Sequence, residues 1–286
     1  MAIRDWFKRD RRPSAQPRAA ADRRFHGDRS RMFDLDKTAR LQQLFAMPRE
    51  QRDGGWSDAF FDATWCGSIA LAEPQTFHGP DGFPYLRLDI PRSDTRFDSQ
   101  CLANLAADCI RVNCGAAFFA SPDAPAEAAE FVLSMGLLDS LLRYDSPDGD
   151  PIDVEEARGP QDETVFDVEQ GRWSQTLTTR EAHQVLIGTP SSDYLPPPQA
   201  QSLHRHLTEL WGMEDPRVGL IVDLHMRPHR SLVIGRKRSD FPEGAPIDDM
   251  VRALTWHLSP GRMLMLVPEQ GSVDGMVPLR ELFEGR

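Results

Sequence analysis

A chain of 286 residues, 40 per cent hydrophobic and 27 per cent charged, has the composition of a folded protein and is longer than one typical domain. Its formal net charge of −11 is unevenly placed: residues 1–31 hold ten Lys/Arg against four Asp, a net of +6, and the remainder holds 23 basic and 40 acidic residues, a net of −17. An acidic body repels phosphate backbones, so no nucleic acid is expected on the folded part, and no apolar run approaches the roughly eighteen residues of a membrane span.

The first residues, MAIRDWFKRDRRP, carry a charge at position four and no apolar stretch of signal-peptide length, so export by that route is not expected. Cys66, Cys101, Cys109 and Cys114 form no CxxC pair, and without an export signal they are expected to be buried thiols rather than disulfides. Both features point to the cytoplasm. Ile3, Trp6 and Phe7 share a helical face, followed by Lys8, Arg9, Arg11 and Arg12. Such an amphipathic basic turn suits a groove on another protein or peripheral contact with a lipid surface; an ordinary solvated terminus is the plain alternative. Residues 10–31 offer no apolar face and are expected to form a flexible basic arm.

Beyond Leu35, the offsets of Leu41, Leu44 and Phe45 predict a helix stopped by Pro48, and a second helix includes Trp56, Phe60 and Phe61. Strands are predicted over 68–72 and 85–90, the second alternating apolar and polar residues, with Asp81-Gly82 as turn chemistry between them. A helix over 99–112, a short buried strand over 116–120 and a helix from Pro125 to about Leu142 complete a first unit, residues 32–145. Residues 146–179 are acidic and broken by Pro and Gly, and form the expected linker, with a short strand around 164–168 and a short helix opening near Thr178. The last unit, 180–286, has a helix over 199–211, strands over 218–224 and 231–235 joined as a hairpin, a helix over 246–258 and a strand over 263–267. An α-β-β-α-β order makes a small helix-backed sheet, so the expected fold is α+β in two such domains.

This order, with Asp215-Pro216-Arg217-Val218 leading into a strand, the segment Leu232–Gly235, the late run Gly261–Pro268 and Leu282-Phe283, resembles the C-terminal domain of the bacterial enhanced-serine-sensitivity (SseB) family. The Leu41 helix, Asp81–Leu86 and Cys114–Phe119 loosely resemble that family's N-terminal domain. The cationic arm and the long acidic middle depart from the family pattern. The resemblance implies a cytosolic two-domain protein without an agreed catalytic role.

Signatures of phosphate loops, dinucleotide folds, zincins and nucleophile elbows are all missing, and no catalytic residue or cofactor is assigned. Asp223, His225 and His229 are candidate metal ligands: two lie on one face of a strand end, and His229 follows the Arg227-Pro228 turn. A hairpin loop with solvated histidines is the commoner arrangement. Arg227, Arg230, Arg236, Lys237 and Arg238 make a basic patch suited to an acidic partner or a phosphate, or else solvated charge balancing the acidic body. His206 falls on the apolar stripe of its helix and His204 off it, so His206 is expected in the core. Nothing local activates a cysteine. Asp148-Gly149-Asp150 in the acidic run lacks EF-hand spacing. The expected function is a cytoplasmic protein-interaction or regulatory protein, docking onto another protein through Ile3, Trp6 and Phe7 or through Arg227, Arg230, Arg236 and Arg238. A hydrolase built on Asp223, His225 and His229, with or without metal, is the competing reading.

Overall fold

A computed structural model of the chain describes residues 33–92, 96–157, 165–167, 172–174, 186–223 and 228–284. The arm with Ile3, Trp6 and Phe7, the loop residues His225 and Arg227, and the helix expected near Thr178 lie outside the described residues. The fold is α+β, with two mixed sheets.

The first half opens with α1 (Leu35–Ala46), whose Leu41, Leu44 and Phe45 are buried. The Asp34 side chain caps it by accepting from the backbone N–H of Asp36 and Lys37, filling donors that a helix start leaves open. Asp53 caps α2 (Gly54–Cys66) in the same way, accepting from Trp56. Strands β1 (Ile69–His78) and β2 (Pro84–Asp89) pair antiparallel, and the turn between them uses Gly82 at φ +87. β3 (Ser99–Gln100) adds to the outer edge of β1, and α3 (Leu102–Arg111) leads to β4 (Gly115–Phe119), parallel to β2. β5 (Phe131–Leu133) returns antiparallel, giving the order β3-β1-β2-β4-β5, and α4 (Met135–Tyr144) follows.

The second half has α5 (Pro151–Ala157), a small ladder of β6 (Val165–Asp167) and β7 (Arg172–Ser174), then β8 (Leu186–Gly188) and α6 (Pro197–Glu209). Next come β9 (Arg217–Val222), β10 (Arg230–Ile234), α7 (Ile247–Leu254), β11 (Met263–Leu266) and β12 (Val277–Pro278). The sheet order is β11-β10-β9-β12, with β8 also on β9; β10 and β11 are parallel and the other pairs antiparallel. The expected hairpin over 218–235 is thus the β9–β10 pair.

Each half contains the same unit: a helix, an antiparallel strand pair, a crossover helix, and a third strand parallel to the second. Parallel pairing needs a connection of a dozen or more residues, and α3 and α7 supply it. Each sheet has its own apolar core, the first around Phe60, Phe118, Leu86 and Leu105, the second around Leu203, Leu207, Leu232 and Leu254.

Three local expectations are corrected. The helix expected from Pro125 to Leu142 begins only at Met135, because Phe131-Val132-Leu133 pairs with β4 and Ser134 caps the helix by accepting from Leu137. The acidic segment expected to be loop carries α5, anchored by Asp153, which is buried and bound to Arg230. Cys66 is only half-buried, being the last residue of α2, whereas Cys101, Cys109 and Cys114 are in the core as expected.

Candidate binding groove and the seam beside it

Strand register gives the first sheet two faces. Leu86, Leu88, Ala116, Phe118, Phe131 and Leu133 share one, where Phe118 meets Phe60 of α2 edge-on at 5.2 Å. Phe77, Tyr85, Arg87, Ala117, Phe119 and Val132 share the other. A loop held by Arg87 covers part of that second face. The Arg87 guanidinium stacks over Phe119 at 4.1 Å and donates to the carbonyls of Ala124 (2.8 Å), Pro122 (2.9 Å) and Ser121 (3.2 Å). Five donors in a rigid fork suit that task.

Between this loop and the β1–β2 turn lies a groove of about 160 Å³. Phe77, Pro80, Tyr85, Ala126, Ala129 and Val132 form its apolar lining, and the carboxylates of Asp81 and Glu127 stand beside them. The volume is well below the roughly 300–1,000 Å³ of small-molecule sites, and matches one large side chain. Val132 is half exposed there, an apolar residue facing open space. Asp81 is held in place: it accepts from the Tyr85 hydroxyl at 2.6 Å and from the Phe83 backbone at 3.1 Å. Burial, and then the bond to Asp81, push the Tyr85 phenol far above its ordinary range, so it stays a neutral donor. Gly115 makes room for the Tyr85 ring, since a Cβ there would come within 2.8 Å of two ring carbons.

Tyr85 also ties the groove to the other half. Its hydroxyl accepts from the Trp256 indole N–H at 2.9 Å, and Trp256 stacks on Phe83 with ring centres 4.4 Å apart and planes within 4°. Trp256, which follows α7, is thereby buried in the core of the first half. Gln199, Ser202 and His206 fall on one face of α6 at i, i+3 and i+7, and all three are buried. Gln199 and Ser259 donate to Asp139 of α4 at 2.9 and 3.0 Å. Ser202 Oγ lies 3.0 Å from His257 Nδ1, and His257 Nε2 lies 3.1 Å from His206 Nδ1. Burial lowers His206 to about 4. Burial, then the neighbouring His206 and Arg205, hold His257 well below its ordinary value. Both imidazoles are neutral at pH 7. The serine–histidine contact has the spacing of a nucleophile and base, but Ser202 is 1 per cent exposed and His257 3 per cent, so no substrate carbonyl reaches them.

The core thiols Cys109 and Cys114 are likewise unsuited to attack. Burial pushes Cys114 up to about 12, and burial followed by the proximity of Cys114 and Asp108 raises Cys109 well above the ordinary thiol.

The described residues of the basic patch, Arg230, Arg236, Lys237 and Arg238, are engaged with the chain itself. Arg230 donates to Asp153 Oδ1 at 2.5 and 3.1 Å, with Asp150 3.6 Å away. Arg236 donates to the carbonyls of Trp211 (2.6 Å) and Asp240 (3.0 Å), and Lys237 to that of Glu269 (2.8 Å). Arg238 pairs with Asp248. Beneath Arg230, the buried Arg262 bonds to the Tyr194 carbonyl and to the Tyr144 hydroxyl at 2.9 Å. Burial raises the Asp153 carboxyl, outweighing the bond from Arg230 that lowers it. Asp223 and His229 face each other across the hairpin, the Asp223 N–H donating to the His229 carbonyl at 2.8 Å. Among the described residues, no group of three or more metal-binding side chains converges.

Of the residues at the groove and seam, sequence reasoning placed only His206 in the core. Trp256 lies off the stripe of Met250 and Leu254, and a single-helix pattern leaves it outward; His257 falls on that stripe, at i+7 and i+3 from them. Phe83, an aromatic residue inside an Asp-Gly turn, was the available signal that something packs over that turn. Comparison with protein-family models, with curated proteins and with solved structures finds no match.

Proposed function

We propose that this chain is an interaction or regulatory protein acting in the cytoplasm, with no catalytic step of its own, and that the groove between Phe77, Ala126 and Val132 is one of its binding sites. The likeness to the enhanced-serine-sensitivity family belongs to the same proposal and rests on sequence pattern alone. The observation that carries the reading is the groove itself: an apolar lining sized for one side chain, with Asp81 and Glu127 beside it. That arrangement suits a partner segment with a large apolar side chain next to a cation, since apolar burial supplies the anchor and opposite charge guides its approach. The small probe N-acetyl-tryptophanyl-lysine amide tests it. In ¹H–¹⁵N spectra of the full chain, its addition is expected to move the amides of Tyr85, Ala126 and Val132, and a Val132→Lys change to weaken that response. Shifts scattered over the surface, or none, would refute the site.

A hydrolytic role for Asp223, His225 and His229 has one observation in its favour, the pairing of residues 223 and 229 at the hairpin mouth. Zinc measured at one ion per chain and lost in His229→Ala would support it; metal-free protein after zinc loading and desalting would remove it.

A further inference from the structure

We propose that the groove is occupied in the free chain by Trp6 of the chain's own basic arm, so that an outside partner must displace it. The inference rests on the binding role assigned above to the groove, and it names the resident occupant. Three observations meet here. First, the chemistry matches. Trp6-Phe7 is followed directly by Lys8, Arg9, Arg11 and Arg12, an aromatic pair next to cations, and the groove offers an apolar lining beside Asp81 and Glu127. Its volume admits one ring, not two. Trp6 is the better candidate because its indole N–H needs an acceptor, and the Asp81 carboxylate retains lone pairs after accepting from Tyr85 and Phe83.

Second, the charges are complementary over the whole chain: residues 1–31 carry a net of +6 and the rest a net of −17. Such a segment is drawn to its own body unless salt screens it. Third, the tether is long enough. Residues 8–32 connect Phe7 to Phe33, and 25 residues can span up to about 80 Å. Asp34 bridges to Gly67, two residues before β1 begins, and the groove lies at the far end of β1, beside Phe77. Ten strand residues cover about 33 Å, so the required span lies well within the reach of 25 residues. A tether of that kind supplies an effective concentration on the order of millimolar, at which even a contact of millimolar affinity is half filled.

The experiment is a comparison of full-length chain with its Trp6→Ala variant by the same spectra and probe. Expected in Trp6→Ala is a change in the amides of Phe77, Tyr85, Ala126 and Val132 before any probe is added. Its affinity for N-acetyl-tryptophanyl-lysine amide should then rise about five- to tenfold, the factor by which 80–90 per cent prior occupancy weakens a competitor. Trp6→Phe should fall between the two, which a general loss of folding would not produce. Equal probe affinity in full-length and Trp6→Ala chains overturns the inference while leaving the groove as a binding site. Failure of the probe to bind either chain overturns both. Groove shifts that grow with protein concentration would assign the site to the arm of a second copy, and overturn the intrachain arrangement. Raising the salt should release the arm, and with it the difference between the two chains.

Discussion

A methyl group at Gly136 would come within 1.8 Å of the Leu258 carbonyl oxygen. That glycine sits in the first turn of α4, where the 3-10 turn after α7 crosses it, and only a residue without a Cβ lets the two backbones approach so closely. Gly136→Ala is expected to cost about 1–3 kcal/mol by over-packing, read as a lower urea midpoint. The thiols give a second residue-scale prediction. Half-buried Cys66 should react with iodoacetamide in the native protein, and Cys101, Cys109 and Cys114 only on unfolding, which peptide mapping after partial labelling would show. Early labelling of Cys114 would contradict its placement. At this scale the sequence was half legible. His206 could be put in the core because it lies on a stripe with Leu203 and Leu207. His257 lies on the stripe of Met250 and Leu254, but its bond could not be read, since its partner Ser202 stands 55 residues away on a different helix.

Helix α6 illustrates how an element can be buried on a polar face. Its Gln199, Ser202 and His206 are matched by Asp139, Ser259 and His257, so the cost of taking polar groups out of water is met by bonds. The lowered histidines make that face sensitive to acid. An unfolded histidine takes up a proton near pH 6.5, while His206 does so only near 4, so the unfolded chain binds more protons in between. Stability is therefore full above about pH 6.5 and falls as the pH drops through 4, by about 3 kcal/mol for His206 alone. Asp89 and Asp153, raised by burial, act in the opposite direction and offset part of the loss at the acid end. Urea titrations at pH 7 and 4.5 should show the difference, and it should shrink in His206→Phe. A second element-scale test concerns α5. Arg262→Ala leaves the buried Asp153 facing one cation fewer and is expected to cost about 3–5 kcal/mol. The helix itself was hard to foresee, because its acidic, proline-flanked sequence has the composition of a loop and becomes ordered through ion pairs made 77 residues downstream.

For the molecule as a whole, Trp256 is the contact through which one half enters the core of the other. Trp256→Ala should cost about 3–5 kcal/mol and lower the thermal midpoint, and Trp256→Phe should cost less while leaving the Tyr85 hydroxyl without its donor. The α+β class and most strands were readable because period-2 and period-3.6 patterns are local. The seam was not, since its partners come from the two halves of the chain, 171 residues apart for Tyr85 and Trp256. Nor was the groove, because its wall, Ala126–Ala128, was expected to be helix and is instead a turn leading into β5. The repeated unit has a kinetic consequence. In each half, the antiparallel strands lie within a few residues of each other in sequence, but the parallel partner returns only after about thirty residues, as with Tyr85 on Gly115 and Ser231 on Met263. Short loops close at less entropic cost than long ones, so the two hairpins are set to form early and the parallel strands to dock later. Two such nuclei, each waiting for its crossover helix, make the assembly of Phe83 against Trp256 the event that reports completion of both.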